Sequence, residues 1–334
     1  GFFTTPAGLR MDATIFNDAE GDVPFNQSWN TFWDVKTVRN GEGWFAEMRI
    51  PFSSLRFQES GGRVVMGLIA KRLIARKNES IVFPAIPDKW GFWGSFKPSQ
   101  SQDIVLEGVS HKTPLYVTPY VLGGLDQSYY LNEGENAYFR ENTPAHELGL
   151  DVKYGLTNNL TTDLTVNPDF AQVEADDLQI NLTRFSLFFP EKRLFFLERA
   201  SIFDFNFGEY NNLFYSRRIG IQDEQRVRIY GGARLTGRAG AWDIGFLDMQ
   251  TAPIESWPSE NFGVVRLRRQ VFNPYSYVGG MITSRIGADG NYNTAYGLDG
   301  ILRLFGNDYL SFNWAQTFYR DARNAVFSLD PAKI

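Results

Sequence analysis

The chain has 334 residues, no cysteine, a hydrophobic fraction of 43% and a formal net charge of −5. These values exclude disulfides, thiolate metal sites and thiol nucleophiles, and so balanced a charge argues against nucleic acid as a partner. No run of about 18 apolar residues occurs, so the sequence predicts no membrane-spanning helix. Aromatic residues make up 16% of the chain, which suits interfacial girdles and a carbohydrate site.

Residues 1–110 combine several tryptophans with short strand patterns that are separated by Gly, Asn, Asp and Pro. This pattern predicts a β-sandwich domain. Its clearest strand lies within residues 43–52, where Trp44, Met48 and Ile50 share one face in the two-residue period of a half-buried strand. The segment 1–6 already has a strand pattern, so we expect the sandwich to be incomplete and the chain to be part of a longer protein.

Residues 114–334 have longer alternating stretches, which predict an antiparallel β-barrel portion. The clearest hairpin comprises residues 147–156 and 160–167. One face of it is apolar and the other is charged or small, as in a barrel with lipid outside and a wet lumen inside. The residues predicted to face lipid are Leu148, Leu150, Val152 and Leu164. The residues predicted to face the lumen are Asp151, Lys153 and Asp163.

Further strands of transmembrane length are predicted downstream, so that the region holds roughly ten strands of about 9–11 residues. They span residues 226–237, 242–250, 262–271, 275–285, 294–304 and 309–319. Short links join some of them, as neighbours in an up-and-down sheet require. A large soluble β-protein would have a similar pattern, so the alternation alone leaves both architectures open.

The segment near 184–205 differs from these strands, because its apolar residues occur in doublets and it contains Pro190. We expect an ordered loop that enters or crosses the barrel mouth as a plug, since exposed phenylalanines would form a sticky patch. An arginine–carboxylate network would fix its position. The predicted members are Arg217, Arg218, Arg228, Arg234, Asp169, Glu174, Asp176, Glu191 and Glu198. Alternatively, the arginines would await an anionic glycan or lipid.

Two segments also carry a family resemblance. Trp29–Thr37 and Gly43–Phe57 resemble the family 9 carbohydrate-binding domain. Leu164–Asp176, continuing through Asn181–Phe185 and Phe188–Arg193 to Phe195–Glu198, resembles an uncharacterised family of outer-membrane barrels that carries such a domain at its N-terminus. The resemblance implies a periplasmic or surface binding domain attached to a barrel in a Gram-negative outer membrane. It implies no established chemistry.

A sugar site needs flat aromatic faces and nearby hydrogen-bonding groups. The candidates are Trp29, Trp33, Trp90, Trp93 and Asp34, with Asn26, Gln27 and Asn30 nearby. Each of these tryptophans could equally be a packed core residue. Trp44 is assigned to the core because it shares a strand face with Met48 and Ile50.

Metal and catalytic sites have weaker signals. The acidic loop 17–22 lacks the EF-hand spacing, and His111 and His146 have no partner at ligand spacing, so we predict neither a metal nor a cofactor. Asp169, Glu174, Asp176 and Asp177 could supply a glycosidase pair, but any solvated acidic loop has the same composition.

Three classes of function therefore remain. The first is a barrel that binds or passes glycans at the outer membrane, the second is a structural subunit of an outer-membrane assembly, and the third is a glycoside hydrolase. The expected partners are a glycan, outer-membrane lipid and other outer-membrane proteins.

Overall fold

The structure is a computed structural model of the chain. It describes residues 1–15, 17–19, 25–26, 29, 31–55, 57, 59–109, 113, 115–131, 134, 137–157, 159–168, 189, 191, 193–197, 199–207, 212–222, 225–254, 257–305 and 308–320. The described part is predominantly β, with a single short α-helix, α1 (Leu194–Leu197). Within it, no helix is long and apolar enough to cross a membrane.

The N-terminal unit, residues 1–109, contains small separate sheets. Its strands are β1 (Phe2–Thr4), β2 (Arg10–Asp12), β3 (Thr14–Ile15), β4 (Phe25–Asn26), β5 (Asp34–Asn40), β6 (Gly43–Arg49), β7 (Glu59–Ser60), β8 (Arg63–Leu68), β9 (Ala70–Ile74), β10 (Glu79–Phe83) and β11 (Gln102–Glu107). They pair as the hairpins β1-β2, β3-β4, β5-β6 and β9-β10 and as a three-stranded sheet in the order β11-β8-β7.

This unit is rich in short β-strands, as the predicted sandwich requires, and its described strands are divided among several small sheets. The predicted strand at 43–52 is present as β6, but Met48 is 41% exposed. Period-2 alternation specifies a strand and its two faces, whereas burial depends on a second sheet that the pattern does not specify.

The larger region forms a nine-stranded antiparallel sheet in the order β12-β13-β14-β17-β18-β19-β20-β21-β22. Its strands are β12 (Leu115–Leu131), β13 (Tyr138–Gly155), β14 (Leu160–Val166), β17 (Ile229–Ala239), β18 (Trp242–Thr251), β19 (Glu260–Gln270), β20 (Tyr277–Gly287), β21 (Tyr292–Leu304) and β22 (Asp308–Arg320). A separate hairpin joins β15 (Ile221–Gln222) to β16 (Gln225–Arg226). Among the described residues, the edge strands β12 and β22 are not paired with each other, so no closed barrel is formed.

Short 3-10 helices lie outside the large sheet. They are Asn17–Ala19, Phe52–Ser54, Ala75–Lys77, Asp88–Trp90, Phe92–Phe96, Pro98–Gln100, Ala200–Phe203 and Ser216–Arg218.

The two faces of the large sheet differ in chemistry. The outer face, which carries Leu150 and Leu164, is open and rich in large apolar side chains. Leu148, Phe246, Leu267, Ile282, Leu298, Phe312 and Trp314 are among its exposed residues. The inner face carries Asp163, Arg234 and Arg266, which are buried. The alternation seen in the sequence at 147–167 is therefore present in the sheet, with apolar residues on the open face and charged residues on the covered one.

The two ends of the sheet also differ. One end, which we call the short-turn end, carries the connections 156–159, 240–241, 271–276 and 305–307. The opposite, long-loop end carries the connections 132–137, 167–228, 252–259 and 288–291. The residues that cover the inner face belong to the longest of these connections.

Candidate functional site

The candidate site is the inner face of the sheet with the segment that packs on it. We call this segment the plug segment and define it as the described residues between 189 and 222. It contains α1 and the 3-10 helices Ala200–Phe203 and Ser216–Arg218.

Aromatic side chains attach the plug segment to the sheet. Phe196, Phe203 and Phe205 are 2–6% exposed and share a core cluster with inner-face residues. The inner-face members of that cluster are Ile229, Leu247, Met249, Val264 and Met281. The second phenylalanine doublet of the sequence, Phe195-Phe196, thus packs against an apolar patch on β17 to β20, which shields it from water.

Two glycines on the sheet allow this close approach. A Cβ atom at Gly245 would lie 2.6 Å from Ile202 Cγ2 and 2.9 Å from the Phe203 ring. A Cβ atom at Gly297 would lie 2.7 Å from Phe205 Cζ. The sheet therefore leaves space for the plug segment at these positions, since such separations are shorter than van der Waals contact.

A buried ion pair joins the plug segment to β19 and β21. The guanidinium of Arg266, which is 0% exposed, donates to both carboxylate oxygens of Asp299 at 2.6 and 2.5 Å. The same guanidinium donates to the backbone carbonyls of Ile202 and Asp204, each at 3.3 Å. One arginine thus connects two strands with the chain that covers them.

Asp204 lies beside this pair. Burial raises the pKa of its carboxyl, and the nearby Asp299 adds to this effect, although the charges of Arg268 and Arg266 oppose it. Asp204 is nevertheless an exposed residue. Solvent therefore weakens the effect of burial on this carboxyl.

A second buried arginine holds the plug segment together. Arg193, 2% exposed, donates to the two carboxylate oxygens of Glu191 at 2.8 and 2.7 Å. It also donates to the carbonyls of Ile219 at 2.6 Å and Ser216 at 2.8 Å. Burial opposes the ionisation of Glu191, but the hydrogen bonds and charge of Arg193 and the Ser216 hydroxyl outweigh it and lower the pKa of Glu191.

The entry to the 167–228 connection is fixed by Asn167, which has a left-handed backbone (φ 51) and is 4% exposed. Its side-chain amide donates to the Leu148 carbonyl at 2.9 Å, and its side-chain oxygen accepts from Arg228 Nε at 2.9 Å. Tyr120 donates its hydroxyl to the Asn167 carbonyl. Asparagine tolerates this backbone conformation, and its side-chain amide also donates to the Tyr120 hydroxyl at 3.3 Å, so the side chain bonds three neighbours at the end of β14.

The predicted arginine–carboxylate network is present in part and with other partners. Arg234 pairs with Asp163 on the neighbouring strand, at 2.8 Å, and Lys153 lies 3.6 Å from the same carboxylate. Arg228 bonds Asn167, as described above. Glu191 pairs within its own segment. The predicted members Asp169, Glu174, Asp176 and Glu198 lie outside the described residues, as does Asp177.

Arg217 and Arg218 belong to the plug segment's last 3-10 helix and differ in exposure. Arg217 is 5% exposed, and its guanidinium lies 5.6 Å from the Phe189 ring centroid. Arg218 is exposed. Sequence reasoning missed Arg193, Arg266 and Asp299, although the parity of Arg266 with Val264 and of Asp299 with Ala295 could have placed the last two on the inner face.

Two of the predicted sugar-site tryptophans, Trp29 and Trp33, are brought together around Phe2. Trp33 is 4% exposed and packs edge-on to Phe2 at 5.3 Å, so neither face of its ring is open to a ligand. Trp29 also packs on Phe2, at 5.8 Å. Asp34 is exposed and lies 3.5 Å from Arg10. Trp33 is therefore a core residue, a role that its sequence pattern permitted equally well.

The other two tryptophans lie in the 3-10 region. Trp90 lies between Lys97 and Arg303, whose cationic groups are 5.0 and 5.5 Å from its ring centroid. Trp93 is 38% exposed and neighbours Phe92, which is 73% exposed. Trp93 is thus the one predicted sugar-stacking residue that combines clear exposure with an exposed aromatic neighbour in the described part of the chain.

Among the described residues, no three or more His, Asp or Glu side chains are close enough to hold a metal ion. His146 is exposed on β13, whereas His111 lies outside the described residues. Of the acidic loop 17–22, only residues 17–19 are described, and Asp18 is buried.

Comparison with known proteins gives one family match. Residues 112–234 match a domain of unknown function, DUF5916. The matched range runs from the start of β12 to the middle of β17 and includes the whole plug segment. No curated protein and no solved structure matches the chain.

Proposed function

We propose that the large sheet is part of the wall of an outer-membrane β-barrel and that the plug segment occupies its lumen. The observation that carries this proposal is the inverted distribution of polarity. The open face is apolar, whereas the covered face holds the ion pairs Arg234–Asp163 and Arg266–Asp299. A sheet in water would expose its charges and cover its apolar residues, and lipid outside reverses this preference.

The extent of the apolar outer face supports this assignment. On β22 it runs from Leu310 through Phe312 and Trp314 to Phe318. These eight residue steps span about 27 Å along the strand, close to the apolar band of about 25 Å in outer-membrane barrels before tilt is considered. Gln316 interrupts the series and accepts a hydrogen bond from the Tyr296 hydroxyl at 3.0 Å.

Polar outer-face residues gather near the long-loop end. Asn261 donates to Asp248 at 3.3 Å and to Gln250 at 3.3 Å. On β18 and β19 this group lies beyond the apolar residues Phe246 and Val265, so we place it at the membrane interface, where water satisfies its remaining hydrogen bonds.

The unequal ends of the sheet give it a direction. Outer-membrane barrels have short periplasmic turns and longer extracellular loops. The short-turn end is therefore assigned to the periplasm, and the N-terminal unit with it, because that unit precedes the start of β12 at the same end. Of the two locations expected for the N-terminal unit, periplasmic or at the cell surface, we therefore propose the periplasm.

For activity, we propose that the barrel binds or passes glycans. Trp93 and Phe92 are the exposed aromatic pair of the N-terminal unit, with Lys71 Nζ 5.4 Å from the Phe92 ring. Calorimetric titration with neutral and acidic oligosaccharides tests this pair. Binding that is lost in Trp93→Ala but retained in Trp44→Ala supports the proposal, and no heat with either sugar class contradicts it.

The structural subunit remains the second candidate, and one observation favours it. The cluster around Phe196, Phe203 and Phe205 fills part of the inner face with a packed apolar core, which obstructs passage. Such a barrel would be a structural subunit of an outer-membrane assembly and would not conduct solutes.

Single-channel recording in planar bilayers distinguishes the two candidates. If the plug segment constricts a conduit, deletion of residues 188–197 raises the conductance of the reconstituted protein. A control deletion in the connection 252–259, at the same long-loop end, leaves the conductance unchanged. Unchanged conductance after the first deletion, in a protein that still inserts and folds, contradicts the constriction and favours the structural role. Failure of the intact protein to insert into lipid contradicts both.

A further inference from the structure

The N-terminal unit contacts the large sheet through a buried cluster of charges around Asp18. The Asp18 side chain is 1% exposed. Within its own unit, it accepts the Ser99 backbone N–H at 2.8 Å, and Lys97 Nζ donates to the Asp18 carbonyl at 3.0 Å. Across the junction, Arg303 Nη1 lies 3.9 Å from its carboxylate, and the Tyr309 hydroxyl donates to it at 3.3 Å.

Aromatic rings extend the same junction. The Arg303 guanidinium lies 4.8 Å from the Tyr275 ring centroid and 5.5 Å from that of Trp90. Lys97 Nζ lies 5.0 Å from the Trp90 ring and 5.7 Å from the Tyr309 ring. Each cation therefore contacts one ring from each side of the junction. The attraction between a cation and a ring is stronger when the cation is desolvated.

The position of the sheet residues shows which side of the sheet is contacted. Arg303 and Tyr309 are direct cross-strand partners on β21 and β22, so they share a face. Arg303 has the parity of Asp299, which pairs with Arg266 on the inner face. Both residues lie beside the 305–307 turn. The N-terminal unit thus contacts the inner face at the short-turn end, opposite the end at which the plug segment enters.

We propose that the N-terminal unit is a releasable cap over the short-turn opening of the lumen, latched through Asp18 to Arg303 and Tyr309. The lumen is then covered from both ends, by the plug segment and by this cap. The proposal assigns Trp90 to the latch and not to a sugar site. The cap's position over a lumen rests on the proposed barrel. The contacts of Asp18 with Arg303 and Tyr309 do not depend on a membrane.

The latch is suited to release because Asp18 contacts the sheet through a charge pair and a hydrogen bond. Asp18 is satisfied mainly from its own unit, and its two contacts to the sheet are at 3.3 and 3.9 Å. Loss of Arg303 leaves the Asp18–Ser99 and Asp18–Lys97 contacts in place. A variant on the sheet side can therefore weaken docking without removing a contact inside the N-terminal unit.

Distance measurement between spin labels tests the latch on the full chain in detergent. The chain has no cysteine, so cysteines introduced at the exposed positions Glu59 and Ala239 are labelled specifically. We expect one narrow distance distribution for the otherwise unchanged protein. Arg303→Gln and Asp18→Asn should each lower the ratio of docked to released molecules roughly tenfold or more, as expected for breaking a buried ion pair.

The matched control is Arg63→Gln, which removes the exposed Arg63–Glu107 pair at 3.1 Å in the same unit. It should leave the distribution unchanged. The double variant Asp18→Asn with Arg303→Gln should release little more than either single variant, because both remove the same interaction.

Two results would overturn the proposal. One is a broad distribution in the parent protein, and the other is an unchanged distribution in Arg303→Gln. Because the measurement is made without a bilayer, failure of the latch is distinguishable from failure of the membrane assignment, which is judged by insertion into lipid.

Discussion

Arg193 offers the sharpest test of how the plug segment is held. Its guanidinium bonds both oxygens of Glu191 and the carbonyls of Ile219 and Ser216, and it lies 4.2 Å from the Phe196 ring centroid. Methionine at this position keeps an unbranched side chain of similar length against the ring. Arg193→Met therefore removes the charge and its hydrogen bonds while it preserves most of the packing.

The expected loss follows from the groups left behind. Removal of one partner from a buried ion pair costs about 3–5 kcal/mol, and each carbonyl that loses its donor costs roughly 1–3 kcal/mol. These terms are not additive, because the released segment regains water. A net loss of about 5 kcal/mol is a reasonable expectation, which corresponds to more than a thousandfold change in a local opening equilibrium.

Hydrogen exchange measures that equilibrium directly. The amides of Phe196 and Ile219 donate to carbonyls within the plug segment, at 3.0 and 2.9 Å, so their protection reports local opening. The control is Arg238→Met, which breaks a bidentate pair with Asp243 whose arginine is 42% exposed. That pair should contribute only about 0–1 kcal/mol. Protection in Arg193→Met within a few-fold of the parent would refute the reasoning, as would equal effects of both variants.

Three further outcomes are expected. Leu150→Arg places a charge on the outer face and should destabilise the bilayer-folded protein by roughly 2–4 kcal/mol. Lys153→Ala should have a far smaller effect, because the Lys153–Asp163 contact at 3.6 Å is partly exposed. Equal effects of the two substitutions in a bilayer folding assay would count against lipid on that face. The folded-state pKa of Glu191 is lowered, so its stabilisation is complete above the ordinary glutamate pKa of about 4.3 and is lost as the pH falls through the lower folded value. Amide exchange in the plug segment should accelerate in that acid range, and a Glu191→Gln variant should lack this response. Gly297→Val should displace Phe205, whose ring would lie 2.7 Å from the new Cβ. The displaced ring should raise the fluorescence of a dye that binds exposed apolar surface. Unchanged amide exchange protection in the plug segment would contradict this displacement.

The strands of the large sheet could be predicted closely because alternation is a local property. The segment predicted at 242–250 is observed as Trp242–Thr251, and that predicted at 309–319 is observed as Asp308–Arg320. The assignment of Leu150 to the open face and of Asp163 to the covered face followed from the same period of two.

Partners across the sheet could not be predicted, because register and strand order are set by chain segments far apart in sequence. Asp163 and Arg234 are direct partners across β14 and β17, although a long connection separates them in the chain. The sequence had suggested loop carboxylates such as Glu191 and Glu198 for Arg234, because inward-facing arginines need anionic partners. The same limit explains why Arg266 and Asp299 were missed as a pair.

By itself the sequence determined a predominantly β chain, the two faces of its long strands and a segment at 184–205 that differs from those strands, since Pro190 and the phenylalanine doublets conflict with alternation. Only the tertiary structure decided where Phe196 packs, that Trp33 lies in a core, and that Trp90 lies at a junction between the N-terminal unit and the sheet. The physical reason is that backbone periodicity is set by neighbouring residues. Burial and ion pairing depend instead on which surfaces meet after the chain has folded.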